Sequence, residues 1–190
     1  MLCYIHSTID HRMIAHIQDK PEDLSISLFV DADFAGDRED TKSTNGGLLV
    51  LTGKHSFFPI SWVSKRQTST SRSTKESEVI SLAHSLYGEA LPTQTLWNKL
   101  LGRNVSLECH EDNQATILVV KKGFSPKLRH VSRTHKVNLG SLTEVFADKS
   151  IKLSYIKTDD QAADRFTKAL PPQKWGHALH LLNIINFASI

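Results

Sequence analysis

The chain has 190 residues, the length of one domain with a short appendage, and 39% hydrophobic residues are enough to form a core. A net charge of +3 and a pI near 8.9 allow nucleic-acid binding without requiring it, and no apolar run reaches the roughly 20 residues of a membrane span. Cys3 and Cys109 stand far apart in no metal-binding spacing, which favours two free thiols in a reducing compartment.

Residues 1–23 are predicted to form an N-terminal arm, either a short amphipathic helix or an irregular segment closed by Pro21. Histidines and charged residues interrupt its apolar positions, which argues against a secretory signal. We therefore expect an intracellular protein, in a cytoplasmic particle or the nucleus, that is neither secreted nor attached to a membrane.

The first strand is predicted from Leu24, where apolar residues begin to alternate with a second face. Asp31 and Asp33 lie within this run, and both point to the same face because side chains alternate along a strand. Burying one unpaired carboxylate is costly and burying two together is worse, so the pair needs an explanation. Residues 47–53 and 57–64 are predicted to form the next two strands, in an antiparallel meander.

The hydrophobic period then changes from that of a strand to that of a helix. A helix is predicted from Thr74, with Ser73 as its N-cap and Glu76 in the capping-box position. Pro92 is expected to kink or break this helix. A further helical stretch should stop at Gly102.

The remaining elements alternate between strand and helix. A strand at 105–112 leads into a helix that ends at Gly123, and a basic loop precedes another amphipathic helix. The fifth strand is predicted at 150–158, a helix follows at 159–172, and a last amphipathic helix lies within 171–190. Strands separated by helices imply an α/β fold, with a five-stranded mixed sheet flanked by helices.

Four acidic positions fall at element ends, where a mixed sheet could gather them: Asp31, Glu76 or Glu78, Asp112 and Asp164. A hard cation such as Mg²⁺ prefers oxygen ligands and is usually held by a few carboxylates with water and phosphate. Two such ions can activate a water and stabilise the leaving oxygen of a phosphodiester. Spacing alone leaves simpler roles open, because Asp112 suits a helix N-cap and Asp164 suits an ion pair with Lys168.

Five strings resemble, in this order, the ribonuclease H domain of copia-type retrotransposon polyproteins: VDADFAGDREDTKSTNGG, ISWVSKRQ, STKESEVISLA, EDNQATILV and QAADRFTKAL. The resemblance runs from about Leu24 to about Leu170, and the opening YIHST resembles the end of the reverse transcriptase that precedes this domain. It divides the chain into an arm at 1–23, a ribonuclease H-like domain at 24–170 and a C-terminal helix at 171–190.

The resemblance implies an endonuclease that hydrolyses the RNA strand of RNA–DNA hybrids during reverse transcription. It implies two Mg²⁺ ions, or Mn²⁺ in their place, and a reverse transcriptase domain of the same polyprotein as a partner. The implied catalytic residues and metal ligands are Asp31, Glu78, Asp112 and Asp164. The alternative is an inactive retrotransposon remnant that keeps the fold and nucleic-acid binding.

The resemblance also chooses between neighbouring acids. Asp31 matches the first ligand, whereas Asp33 is expected to serve the turn that follows. Glu78 is followed by the apolar pair typical of the family's glutamate, although helical periodicity places Glu76 nearer the apolar face. Glu111 does not align with the third acid.

Basic and polar residues around the first long helix are expected to bind the nucleic-acid backbone, because phosphate contacts position a nucleic acid without reading its sequence. These residues are Thr44, Asn45, Lys65, Arg66, Gln67, Arg72 and Arg133. A solvated loop is the alternative for each of them.

Two departures from the family pattern mark the second half of the chain. The string RTHK replaces the usual R-T-K-H or R-T-R-H, so neither His130 nor His135 is given a catalytic role. Arg165 replaces a residue that is usually apolar, which affects the expected local packing but not the choice of Asp164 as a ligand.

Overall fold

A computed structural model of the protein describes residues 2–36 and 39–189. Its strands are β1 (His11–Met13), β2 (Ser25–Asp33), β3 (Thr44–Thr52), β4 (Phe57–Arg66), β5 (Leu107–Glu111), β6 (Ile151–Tyr155) and β7 (Ile184–Asn186). Its α-helices are α1 (Leu2–Ser7), α2 (Thr74–Ser85), α3 (Leu91–Leu101), α4 (Gln114–Lys122), α5 (Val131–Thr134), α6 (Leu139–Val145) and α7 (Pro172–Leu181). No helix in these two stretches is both long and apolar enough to cross a bilayer.

The main sheet has five strands in the order β4-β3-β2-β5-β6. The neighbours β4, β3 and β2 pair antiparallel, whereas β2 with β5 and β5 with β6 pair parallel. Each parallel pair needs a long crossover, which the helices between those strands supply. The prediction of a five-stranded mixed sheet flanked by helices is therefore confirmed.

Each face of the sheet carries its own apolar cluster. The larger cluster lies beneath α2 and α4 and includes Leu28 of β2 and Leu82 of α2, both fully buried. The smaller cluster lies on the other face, where Leu48 and Val50 of β3 meet the C-terminal part of the chain. Because both faces are covered, the acids can gather only at an end of the sheet.

The start of α2 is fixed by two reciprocal side-chain bonds. The Ser73 hydroxyl accepts the Glu76 N–H at 3.2 Å, and the Glu76 carboxylate accepts the Arg72 N–H at 3.1 Å. The first bond satisfies one of the donors that a helix leaves unpaired at its N-terminus, and the second holds the residue before the cap. This cap sets the position of Glu78 in the first turns of α2.

Pro92 was expected to kink or break the helix, and no break occurs there. The chain continues from α2 through a π-helical turn, Leu86–Ala90, directly into α3. Pro92 lies in the first turn of α3, and the wider π turn before it relieves the clash that a proline ring makes with the preceding turn. Helix α3 stops at Gly102, where φ is +62°, as predicted.

The prediction of a helix at 159–172 is wrong. Two 3₁₀ turns, Thr158–Asp160 and Ala162–Phe166, occupy this stretch. The buried side chain of Gln161 holds the second turn, since it accepts the Ala163 N–H at 3.3 Å and donates to carbonyls of the main sheet. Hydrogen bonds between such distant residues cannot be predicted from the hydrophobic period of the local sequence.

The predicted helix at 171–190 is too long, because α7 ends at Leu181. Asn183 then takes a left-handed φ of +50° and donates a side-chain bond to the Ile14 carbonyl at 2.7 Å. The chain leaves this turn as β7, which pairs antiparallel with β1 of the arm. The arm at 1–23 thus contacts the C-terminal segment, and the division of the chain into three parts stays a prediction.

Candidate active site

An acidic cleft of about 680 Å³ opens at one end of the main sheet. The carboxyl ends of the parallel neighbours β2 and β5 meet there, the usual place for a ligand in an open α/β sheet. Asp31, Glu78 and Asp112 line the cleft, together with Lys168. Three separate elements therefore deliver the first three predicted ligands to one place.

The acids form two overlapping groups. Single carboxylate oxygens of Asp31, Asp112 and Asp164 all lie within 4.8 Å of one another. The same limit holds for Glu78, Glu111 and Asp112, so Asp112 belongs to both groups. The structure thus brings the four predicted ligands together and adds Glu111, which the sequence comparison had set aside.

Gln161 lies between β2 and β5 at the end of the sheet where these groups meet. The pairing of β2 with β5 ends at Phe29 and His110, and beyond this point the strands are no longer bonded to each other. The Gln161 amide fills the gap by donating to the Val30 carbonyl at 2.9 Å and to the His110 carbonyl at 3.2 Å. The same residue begins the turn that carries Asp164.

Asp31 is 2% exposed and is held from the opposite side of the cleft. Its Oδ2 accepts a short hydrogen bond from the Thr167 hydroxyl and lies 3.7 Å from Lys168 Nζ. Burial raises the pKa of Asp31 to about 6, although Lys168 and Thr167 oppose the shift. Asp33 lies further along, where its carboxylate packs so closely over Gly36 that a Cβ there would collide with it.

Lys168 supplies positive charge to one of the two groups. Its Nζ lies 2.9 Å from Asp164 Oδ1 and 3.7 Å from Asp31 Oδ2. Burial lowers the pKa of Lys168, but the carboxylates of Asp31 and Asp164 outweigh that effect and raise it, so the amine stays protonated. Asp164 therefore forms the ion pair with Lys168 that their spacing suggested, and it also belongs to the acid group with Asp31 and Asp112.

Glu78 and Glu111 are almost completely buried, at 4% and 0% exposed. Among the described residues, Oε2 of each has no hydrogen-bond partner. Burial, reinforced by Glu111 and Asp31, raises the pKa of Glu78 to about 11, and burial raises the pKa of Glu111 well above its usual range. Buried oxygens of this kind fit a divalent cation, which takes carboxylate oxygens as ligands.

Glu76 faces away from the cleft. Its Oε1 lies 3.0 Å from His130 Nε2 and 3.7 Å from His135 Nε2, and its side chain is 1% exposed. Burial lowers the pKa of His135, although Glu76 opposes the shift. Glu78 is thus the glutamate of the cleft, and Glu76 joins α2 to the basic segment. The unusual order RTHK, in which His135 takes the third place, was the sequence signal for this cluster.

Replacing Glu76 with Ala is expected to destabilise the protein by about 2–3 kcal/mol, because the bonds to His130 and to the Arg72 N–H are lost together. Urea denaturation measures the change. Glu144→Ala, at an exposed position of α6, is the matched control and should cost less than about 0.5 kcal/mol. Equal losses in the two variants would show that the Glu76 contacts contribute nothing.

Two of the predicted nucleic-acid-binding residues are buried in a network of their own. Gln67 donates to Asn45 Oδ1 at 2.6 Å and to the Ser77 carbonyl at 3.0 Å, and its Oε1 accepts the Ser71 hydroxyl at 2.6 Å. Asn45 and Gln67 are only 2% and 3% exposed. Their contacts fix the loop before α2, and a role in binding nucleic acid stays a prediction for both.

The other five predicted residues are more accessible. Lys65, Arg72 and Arg133 are exposed, Thr44 is half-buried at the start of β3, and Arg66 forms an ion pair with Asp40. A second cavity of about 410 Å³ lies beside α2 and is lined by basic side chains as well as apolar ones. Its basic lining consists of Lys65, Arg66, His84, His135 and Lys136.

Arg165, which departs from the family pattern, is buried beside the acids. Its Nη1 lies 3.7 Å from Asp164 Oδ2 and donates to the Gln161 carbonyl at 3.2 Å. The guanidinium therefore steadies the turn that carries Asp164. Sequence reasoning missed this role, although a basic residue directly after an acid was a visible signal.

Comparison with known proteins places this geometry in context, although no protein-family model matches the sequence. The chain is 30% identical over 175 residues to the retrovirus-related Pol polyprotein from transposon RE2 of Arabidopsis thaliana. It is 31% identical over 173 residues to that from transposon RE1 of the same plant, and each alignment covers 90% of this chain and 11% of the relative. The polyprotein from transposon TNT 1-94 of Nicotiana tabacum is 29% identical over 153 residues, covering 77% of this chain and 10% of that protein. The chain thus spans about a tenth of the length of these relatives.

Two solved structures share the fold. LC11-RNase H1, isolated from compost by a metagenomic approach, matches with a TM-score of 0.50 and 15% identity over 75% of this chain and 92% of that one. The N-terminal RNase H domain of Rv2228c from Mycobacterium tuberculosis matches with a TM-score of 0.50 and 11% identity over 84% and 96%. The chain thus has the ribonuclease H-like fold, and its sequence is similar to part of the Pol polyproteins of these transposons, as its motifs predicted.

Proposed function

We propose that the domain hydrolyses the RNA strand of RNA–DNA hybrids during reverse transcription of a retrotransposon. The single observation that carries the proposal is the meeting of carboxylates from four separate elements at one end of the sheet. The proposed catalytic residues and metal ligands are Asp31, Glu78, Asp112 and Asp164. The proposed partner is a reverse transcriptase domain of the same polyprotein, which fits the similarity to Pol polyproteins. The proposed location is a cytoplasmic particle or the nucleus.

Two bound Mg²⁺ ions, or Mn²⁺ ions, would supply an activated water and stabilisation of the leaving oxygen. The role of the protein itself is to hold the carboxylate oxygens of these ligands in place before the substrate arrives. Thr167 fixes Asp31 by a hydrogen bond, and the turn capped by Gln161 fixes Asp164. Lys168, which stays protonated at the edge of the same cleft, can contact a phosphate oxygen.

The hybrid is proposed to lie along the exposed basic side of α2. The exposed residues are Lys65 near the end of β4, Arg72 in the loop before α2 and Arg133 on α5, and their charges suit a phosphate backbone. Such contacts position the duplex without reading its sequence, which suits an enzyme that must degrade any template.

Cleavage of a labelled RNA–DNA hybrid tests the proposal. We expect the RNA strand to be cut with Mg²⁺ and not with EDTA, and the rate to fall at least about 100-fold in Asp31→Asn and Asp112→Asn, because charge stabilisation by a metal is worth several kcal/mol. Glu108→Gln is the matched control: this acid lies on β5 but pairs with Lys152 at 3.0 Å, away from the cleft.

Hybrid binding without metal-dependent cleavage would contradict the proposal and support an inactive remnant. Cleavage of duplex DNA in preference to the hybrid would contradict it in a different way, because it would indicate another nuclease with the same fold.

A further inference from the structure

Glu111 is an acid to which the proposed function gives no role. It is the last residue of β5 and continues the buried row of that strand, after Leu107 and Cys109. All three side chains are fully buried. A carboxylate at the end of such a row is costly unless a partner compensates for its lost hydration.

The described residues compensate only in part for the lost hydration of the Glu111 carboxylate. Oε1 of Glu111 accepts the Asn113 N–H at 3.0 Å, but Oε2 has no hydrogen-bond partner there. Lys168 pairs with Asp31 and Asp164, whereas no cationic side chain in the described chain forms an ion pair with Glu78 or Glu111. The uncompensated oxygens are thus on the side of the cleft where α2 meets the end of β5.

The carboxylates of Glu78 and Glu111 lie close to each other and to Asp112. The nearest oxygens of Glu78, Glu111 and Asp112 are within 4.8 Å of one another. In octahedral coordination with Mg²⁺–O bonds of about 2.1 Å, neighbouring ligand oxygens lie about 3.0 Å apart and opposite ones about 4.2 Å. The three oxygens would therefore move closer together on binding one ion.

We propose that Glu111 is a fifth metal ligand, which forms with Glu78 and Asp112 a divalent-cation position separate from the one among Asp31, Asp112 and Asp164. Asp112 belongs to both groups of acids. The inference rests on the proposed function, because it assigns the ligands of the same metal centre, and it replaces a four-acid site by a five-acid one.

A proton shared between Glu78 and Glu111 is the competing explanation for two neighbouring buried acids. The two explanations differ in what a neutral side chain does. Glu111→Gln keeps the oxygen that accepts the Asn113 N–H and can still bond to Glu78, but it removes the charge that a cation requires.

A calorimetric titration of the full chain with Mn²⁺ alone distinguishes the two explanations. We expect Glu111→Gln to weaken one Mn²⁺ binding step at least tenfold or to remove it. Glu108→Gln, on the same strand but paired with Lys152, should bind Mn²⁺ within twofold of the wild type. Circular dichroism checks that both variants are folded.

If every Mn²⁺ binding step of Glu111→Gln stays within twofold of the wild type, the fifth-ligand assignment is overturned. A wild-type chain that binds no Mn²⁺ contradicts the proposed function itself, which is a different outcome. Should Glu111→Gln not fold, Glu111→Asp is measured instead, and its melting temperature should rise less with Mn²⁺ than that of the wild type.

Discussion

Glu78→Gln is expected to abolish hybrid cleavage and, at the same time, to make the metal-free protein more stable. Glu78 is 4% exposed, and burial together with Glu111 and Asp31 raises its pKa to about 11. An acid whose pKa is raised on folding costs stability as soon as the pH exceeds its pKa in the unfolded chain, and the cost grows up to the folded value. The neutral glutamine has no such cost.

The wild-type protein should therefore lose stability between about pH 4.5 and neutral pH in the presence of EDTA, and Glu78→Gln should lose less. The difference at pH 7 is on the order of 1–3 kcal/mol, because each pH unit above the unfolded pKa contributes 1.36 kcal/mol at most. Melting temperatures from pH 5 to 8 measure it. Parallel curves for the two proteins would show that Glu78 carries no raised pKa.

Glu108→Gln provides a control of opposite sign. Hydrogen bonding from Ser154 and Lys152 lowers the pKa of Glu108, so its removal should not stabilise the protein at any pH in this range. Added Mg²⁺ should raise the melting temperature of the wild type more than that of Glu78→Gln, because a cation stabilises only the state that binds it.

Gln161→Leu is expected to destabilise the fold by about 2–4 kcal/mol, because it leaves the carbonyls of Val30 and His110 without their donor. It should also weaken metal binding, since the turn that carries Asp164 loses the bond to the Ala163 N–H. Urea denaturation and Mn²⁺ titration give the two readouts.

The same substitution at an exposed glutamine is the control for Gln161. Gln173→Leu, on α7, should change stability by less than about 0.5 kcal/mol and leave Mn²⁺ binding unchanged. A Gln161→Leu variant as stable as Gln173→Leu would mean that the strand ends are held apart without the amide.

Elements with a local cause could be predicted from the sequence. The cap of α2 follows from Ser73 and Glu76, three residues apart, and the end of α3 follows from Gly102, so both were found where expected. The alternation that begins at Leu24 likewise gave β2 and its buried face.

Features that depend on distant partners could not be predicted in this way. Glu76 and Glu78 are both buried, and the contact with His130, which lies far along the chain, could not be read from the local sequence. The turn around Asp164 exists because Gln161 reaches strands β2 and β5, and a helical period read from the sequence contains no trace of that contact.

Glu111 shows a different limit. A family comparison selects the position that matches a known ligand, so it directed attention to Asp112 and away from its neighbour. The alternation of β5 placed Glu111 among apolar side chains, but the partner that makes this burial unusual, Glu78, comes from another element.

The pairing of β1 with β7 joins the two ends of the described chain. His11 meets Asn186, so this ladder closes almost the whole chain into a loop, and two strands of three residues gain few bonds in return. We therefore expect its amides to exchange with solvent long before those of β2 and β5. Asp31 and Glu111 lie on these two strands, so we expect fraying at the terminal ladder to leave both acids in place.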